Sequence, residues 1–124
     1  MTRGALIATA FVLLLAGCAA DASAGPDLEA VVDECRIGSS DFARVGDEGR
    51  SLTLDQRGNE DANGLGYDDI ECVLEAIDMP DSAFERMLQT SSNDGFQDAE
   101  WNQTRATWSY HPDDGLNVIV ELTD

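Results

Sequence analysis

Apolar residues recur at helical spacing in three segments of the chain. The first segment predicts a helix over 27–35 behind a proline, which suits a helix start. The second predicts a longer helix over 67–79, and the third a short one over 80–90. Their apolar faces carry Leu28, Val31, Val32 and Cys35 in the first, Ile70, Val73, Leu74 and Ile77 in the second, and Phe84, Met87 and Leu88 in the third.

Alternating apolar and polar residues, which are typical of strands, occupy two other regions. Residues 42–55 predict a β-hairpin around a turn-rich stretch. The C-terminal third predicts two or three more strands, over 96–101, 105–110 and 116–122. A turn joins the last two, and its Gly115 supplies a positive φ.

This order of elements predicts an α+β fold. It reads helix, hairpin, helix, helix and then two or three antiparallel strands, with the helices packed on one face of a small sheet. A length of 124 residues leaves room for one domain, which we place at 27–124.

The N-terminal residues have a different character from this domain. Arg3 precedes an apolar run of about eleven residues, 5–15. A membrane-spanning helix needs about 20 residues, so the run matches the apolar part of an export signal. It ends in Leu-Ala-Gly-Cys at 15–18, which resembles the lipobox of bacterial lipoproteins. The alternative is an ordinary secretory signal whose cleavage site happens to contain a cysteine.

The lipobox resemblance implies a lipid anchor. It implies cleavage before Cys18 and diacylglycerol on the Cys18 thiol, which ties the chain to the outside of a membrane. Residues 1–17 are then the lipoprotein signal peptide, and the small residues of 18–26 are a lipidated tether. A tether of about eight such residues has an r.m.s. reach of about 15 Å.

Lipid on Cys18 leaves two cysteines, Cys35 and Cys72. An even remainder in an exported chain predicts one disulfide. Closing a loop of about 37 residues would stabilise the fold by about 4 kcal/mol. The alternatives are two free thiols or a redox pair, although the spacing is too long for a C-x-x-C motif.

The charge of the chain is strongly acidic. Seven basic residues, all arginine, face 25 acidic ones, for a net charge of −18. Removing residues 1–17 takes Arg3 away and leaves a net charge of −19. Such a field opposes binding to nucleic acid and repels an anionic membrane surface. It favours solubility, and alternatively it attracts divalent cations or a basic partner.

One polar loop superficially resembles a calcium-binding loop. Oxygen-bearing side chains alternate before Gly64, but the place of the usual bidentate glutamate falls on Ile70. The alternative is a solvated turn followed by a helix start. The candidate calcium ligands are Asn59, Asp61, Asn63, Asp69 and Glu71.

No catalytic arrangement stands out, so we predict neither an enzyme nor a cofactor. His111 is the single histidine and lies in a predicted turn, and no G-x-S-x-G motif is present. The candidate binding residues are Trp101, Trp108, Tyr110 and His111, because aromatic side chains on a sheet face can anchor a partner. Alternatively, Trp108 and Tyr110 form the core beneath the helices and Trp101 is partly exposed.

Two family resemblances extend these predictions. The segment 67–120, with Asp-Ile-Glu-Cys-Val-Leu at 69–74 and Trp-Ser-Tyr-His-Pro at 108–112, looks like a group of uncharacterised small actinobacterial lipoproteins. More distantly, Pro80, Trp108-x-Tyr110 and Leu116-x-Val118 are similar to SmpA/OmlA-type lipoproteins and β-lactamase-inhibitor-like modules. Those modules pack two helices on an antiparallel sheet and bind other proteins.

The sequence therefore predicts an extracytoplasmic lipoprotein, anchored to the cell membrane through Cys18. Its domain is expected to bind an envelope protein or a ligand through the sheet face, without catalysis. The alternative is an extracellular protein that binds calcium.

Overall fold

A computed structural model gives the fold of residues 25–60 and 62–123. The predicted signal peptide and residues 18–24 of the predicted tether lie outside this described part. The described residues form three α-helices and five strands, and this confirms the predicted α+β class and element order. In chain order these are α1 (Leu28–Glu34), β1 (Ala43–Gly46), β2 (Ser51–Asp55), α2 (Tyr67–Ala76), α3 (Asp81–Leu88), β3 (Gln97–Trp101), β4 (Thr104–His111) and β5 (Gly115–Leu122).

The five strands form one antiparallel sheet in the order β1-β2-β5-β4-β3. The N-terminal hairpin joins the C-terminal strands through β2, where Leu52 pairs with Val120 and Leu54 with Val118. The last strand also pairs with β4 along its whole length. The strand predicted over 96–101 is present as β3, which pairs with β4 at one edge of the sheet.

Side-chain alternation gives the sheet one covered face and one open face. The covered face meets the helices in a single apolar core that includes Trp108, Leu52 and Val118. The open face carries mostly polar residues. One row across it, in strand order, is Arg44, Thr53, Ile119, Thr107 and Asp98.

The predicted disulfide is present. Cys35 follows the last residue of α1 and is bonded to Cys72 in the middle of α2. The bond ties the shortest helix, seven residues long, to the longest one. Since a helix of seven residues has little stability alone, α1 depends on this link and on its buried face.

Helix α2 ends at Ala76, three residues before the predicted end at Met79. Asp78 has a φ of 58°, which takes the chain out of the helix. Met79 nevertheless stays buried, because the chain folds back over the last turn. The apolar stripe therefore continues beyond the helix itself.

The loop after β2 packs against the turn between β4 and β5. The Asn59 backbone N–H donates to the Pro112 carbonyl at 3.0 Å. A Cβ at Gly58 would lie 2.0 Å from the Asp113 carbonyl oxygen, so only glycine fits there. Gly115 has a φ of 78°, which confirms the positive φ predicted for this turn.

Candidate ligand pocket

A pocket of about 300 Å³ opens at one end of the sheet, between α2 and α3. We call it the end pocket. Tyr110 of β4 and Leu116 of β5, which pair with each other, contribute to it from the sheet. Helix α2 contributes Tyr67 and Ile70 from its first turn.

The third contribution to the end pocket comes from α3. Phe84, Met87 and Leu88 line it, and Met87 is buried while Phe84 is half-buried. Leu88 is 47% exposed, which is high for a large apolar side chain. The helix therefore presents more apolar surface than the core covers.

The start of α2 fixes the position of Tyr67. The Asp69 carboxylate accepts a hydrogen bond from the Gly66 backbone N–H at 3.0 Å, as in half of a capping box. This contact holds the first helical turn in place. Tyr67, the first residue of that turn, is thereby held at the pocket.

The polar groups of the end pocket differ in whether they have hydrogen-bond partners. The Thr90 hydroxyl donates to the Arg86 carbonyl and accepts from the Trp108 indole N–H at 2.9 Å. The Gln56 side-chain oxygen accepts from the Leu116 N–H at 3.0 Å. Within the described part of the chain, the Gln56 amide nitrogen and the Tyr110 hydroxyl have no hydrogen-bond partner. Both can serve a ligand.

Three carboxylates adjoin residues that line the end pocket, and we call them the rim carboxylates. Asp68 follows Tyr67 and Glu71 lies one helical turn after it in α2, while Glu85 follows Phe84 in α3. Partial desolvation raises the pKa of Tyr67 above its usual 10.0, and an interaction of its hydroxyl with the Glu71 carboxylate raises it further. The negative charges of Glu71, Asp68 and Glu85 act in the same direction. Three carboxylates from α2 and α3 therefore lie close enough to act on one side chain of the pocket.

Two arginines, Arg57 and Arg86, are sequence neighbours of residues that line the end pocket. Arg86 lies over the Trp108 ring, 5.7 Å from its centroid, and donates to the Asp98 carbonyl on β3 at 2.9 Å. Arg57 lies near Gly66, where the Asp69 carboxylate also lies. Arg86 is therefore held toward β3, whereas the Arg57 guanidinium lies near the start of α2.

The structure separates the predicted aromatic binding residues. Trp108 is 1% exposed and belongs to the core, so its ring is not open to a partner. Trp101 is half-buried and donates from its indole N–H to the Ile77 carbonyl at 2.8 Å. His111 is exposed, and its Nδ1 accepts from the Asp113 N–H. Of the four candidates, only Tyr110 lies in the end pocket.

The predicted calcium ligands are not gathered into an acidic cluster in the described residues. Asp69 caps α2, and the Glu71 carboxylate interacts with Tyr67. Asn59 and Asn63 are exposed in the loop, and Asp61 lies outside the described residues. Among the residues that the structure describes, no group of three or more His, Cys, Asp or Glu side chains is placed to hold a metal ion.

Of the nine residues that line the end pocket, sequence reasoning named only Tyr110 as a binding candidate. It placed Phe84, Met87 and Leu88 on the apolar face of a helix, and it used Tyr67 only as a helix boundary. A usable signal was the apolar face of α3, which is wide for a helix of eight residues. A second signal was a tyrosine four residues before a glutamate, a spacing that places both on one side of a helix.

The comparisons with known proteins give no family assignment. Within the described residues, every helix is too short or too polar to cross a bilayer. No protein-family model matches the chain, and no curated protein or solved structure was found to be similar to it. The resemblances seen in the sequence therefore stay predictions.

Proposed function

We propose that this chain is a membrane-anchored bacterial lipoprotein whose domain binds a protein or ligand outside the cytoplasm, without catalysis. The observation that carries the proposal is the Cys35–Cys72 disulfide. Disulfides persist in oxidising compartments and are rare in the cytosol. The bond uses two of the three cysteines and leaves Cys18, the one that the lipobox pattern would lipidate.

The placement of the end pocket supports the binding half of the proposal. Gly25, the first described residue and part of the predicted tether, lies near Leu122 and Gln103 at one end of the sheet. Tyr110 and Leu116 lie at the other ends of the same two strands. Six residues of β4 separate the two ends, which is about 20 Å at the strand rise per residue. A domain tethered through Gly25 would keep the pocket away from its anchor.

The acidic charge of the domain supports attachment to the membrane through lipid alone, without a contribution from the protein surface. A net charge of −19 after signal cleavage repels anionic headgroups, so the domain has little affinity of its own for such a membrane. Two or three acyl chains hold a protein durably, because each buried methylene contributes about 0.8 kcal/mol. Membrane attachment should therefore depend wholly on Cys18.

Fatty-acid labelling in a bacterial host tests this proposal. We expect the full chain to incorporate a labelled fatty acid, to lose residues 1–17 and to sediment with membranes. A Cys18→Ser variant should do none of these, whereas a Ser23→Ala variant in the tether should behave like the parent. An intact mass that shows an unmodified Cys18, or recovery of the uncleaved parent from the cytosol, would refute the proposal.

A further inference from the structure

We propose that the end pocket binds a small organic cation with an apolar body, such as an arylalkylammonium ion. This inference rests on the binding half of the proposed function and names the ligand class. It joins three separate observations: the aromatic lining of the pocket, the carboxylates at its rim and its size.

The lining suits a cation better than an anion. Tyr67, Phe84 and Tyr110 bring three aromatic rings to one pocket. The faces of such rings attract ammonium groups, and sites for organic ammonium ions in proteins are commonly built from several of them. The apolar side chains of Ile70 and Leu116 can cover the uncharged part of the same ligand.

The charges around the pocket also favour a cationic ligand. Asp68 and Glu71 lie next to Tyr67 and one helical turn after it, and Glu85 follows Phe84. These three negative charges adjoin the aromatic lining and outnumber the positive charge of Arg57, which lies near Gly66. Arg86 is engaged with Trp108 and the β3 backbone. The net charge of the domain adds a long-range attraction for cations, which raises their local concentration at the surface.

The size of the pocket restricts the ligand. At about 300 Å³ it is at the lower end of the range for small-molecule sites. One aromatic or branched apolar group with an ammonium fits that space. Among the residues that the structure describes, the Tyr110 hydroxyl and the Gln56 amide nitrogen have no hydrogen-bond partner, so they can orient a polar substituent.

Two probes that differ chiefly in charge test the inference on the full chain in detergent. We would titrate 2-phenylethylammonium and 2-phenylethanol by calorimetry and ligand-observed NMR, with protein-free detergent as the blank. We expect saturable binding of the cation, at least about tenfold tighter than that of the alcohol. Equal affinity for both probes, or no saturable binding of the cation at millimolar concentration, would overturn the inference.

Charge variants locate the site. Replacing two of the three rim carboxylates, as Glu71→Gln with Glu85→Gln, should weaken cation binding by about tenfold and leave the alcohol unaffected. The matched control, Glu29→Gln with Glu121→Gln, removes the same charge from α1 and the open sheet face. An equal loss of affinity in the control would contradict the site, because only the overall field would then matter. Thermal melts of both variants verify that they fold.

Two further measurements distinguish a small ligand from a partner protein, and they test the ligand proposal separately from the lipid-anchor proposal. A capped Phe-Lys dipeptide that binds more tightly than 2-phenylethylammonium would place the cation on a partner protein and overturn the small-ligand form. Lipid on Cys18 is measured independently. A lipidated chain that fails to bind overturns this inference alone, while a chain that binds the cation with Cys18 unmodified overturns the anchor alone.

Discussion

At the scale of single residues, two helices are each followed by a non-glycine residue in the left-handed backbone conformation that glycine favours. Arg36 after α1 and Asp78 after α2 have φ values of 59° and 58°. At the end of α2, the Met79 N–H donates to the Leu74 carbonyl and the Asp78 N–H to the Glu75 carbonyl. This is the Schellman pattern, in which glycine usually holds the left-handed position.

Asp78→Gly should stabilise the domain by about 1–2 kcal/mol. Glycine removes the left-handed penalty of about 1 kcal/mol, and losing the carboxylate removes an unfavourable charge at a helix C-terminus. The measurement is urea unfolding of the full chain in detergent. Asp78→Asn is the control, because it removes the charge and keeps a Cβ. If the glycine variant is no more stable than the asparagine variant, backbone strain at this position is negligible.

The same residue shows why the end of α2 was misjudged from sequence. Periodicity reports which residues are buried, and Met79 is buried whether it lies in the helix or folds back behind it. The left-handed turn at Asp78 carries no glycine to mark it. A hydrophobic pattern cannot locate the end of a helix when that end is set by the backbone conformation of a residue other than glycine.

At the scale of elements, the edge strand β3 depends on two contacts with the helices. It pairs only with β4 in the described sheet. The Trp101 indole N–H donates to the Ile77 carbonyl at the end of α2, and Arg86 of α3 donates to the Asp98 carbonyl. Each helix on that side therefore holds the strand at one point.

Trp101→Phe should loosen this edge with little effect on the rest of the sheet. Phenylalanine keeps an aromatic ring but removes the N–H, and the loss of one such bond costs about 1 kcal/mol. We expect faster amide hydrogen exchange in β3, while the central strand β5 serves as the internal reference. Uniformly faster exchange in both strands would mean that Trp101 supports the whole fold and not the edge alone.

The elements themselves were predictable, but their pairing was not. Local alternation located the hairpin over 42–55 and the strands of the C-terminal third. It carried no information on the pairing of β2 with β5, which joins residues more than 60 positions apart. The end pocket could not be predicted from the sequence for the same reason. Its lining comes from separate segments that meet only when the sheet and helices are assembled.

At the scale of the whole molecule, a small core is held together by one covalent link. A domain of about 100 residues has a net stability of only about 5–15 kcal/mol. The disulfide links two cysteines 37 residues apart in the sequence. It joins the helix that precedes the N-terminal hairpin in the chain to the helix that follows it. In the chain-entropy view, that constraint is worth about 4 kcal/mol, which is a large share of the total.

The double variant Cys35→Ser with Cys72→Ser should therefore lose about 4 kcal/mol of unfolding free energy. The measurement is denaturant unfolding of the full chain in detergent, repeated for the parent protein under a reductant. Ser23→Ala is the control, because this small change in the predicted tether leaves both the bridge and Cys18 intact. Equal unfolding midpoints for the double variant and this control would show that the bridge adds nothing. The expected loss would make the stability of the domain depend on an oxidising compartment, so the fold and the proposed export of the chain would depend on the same bond.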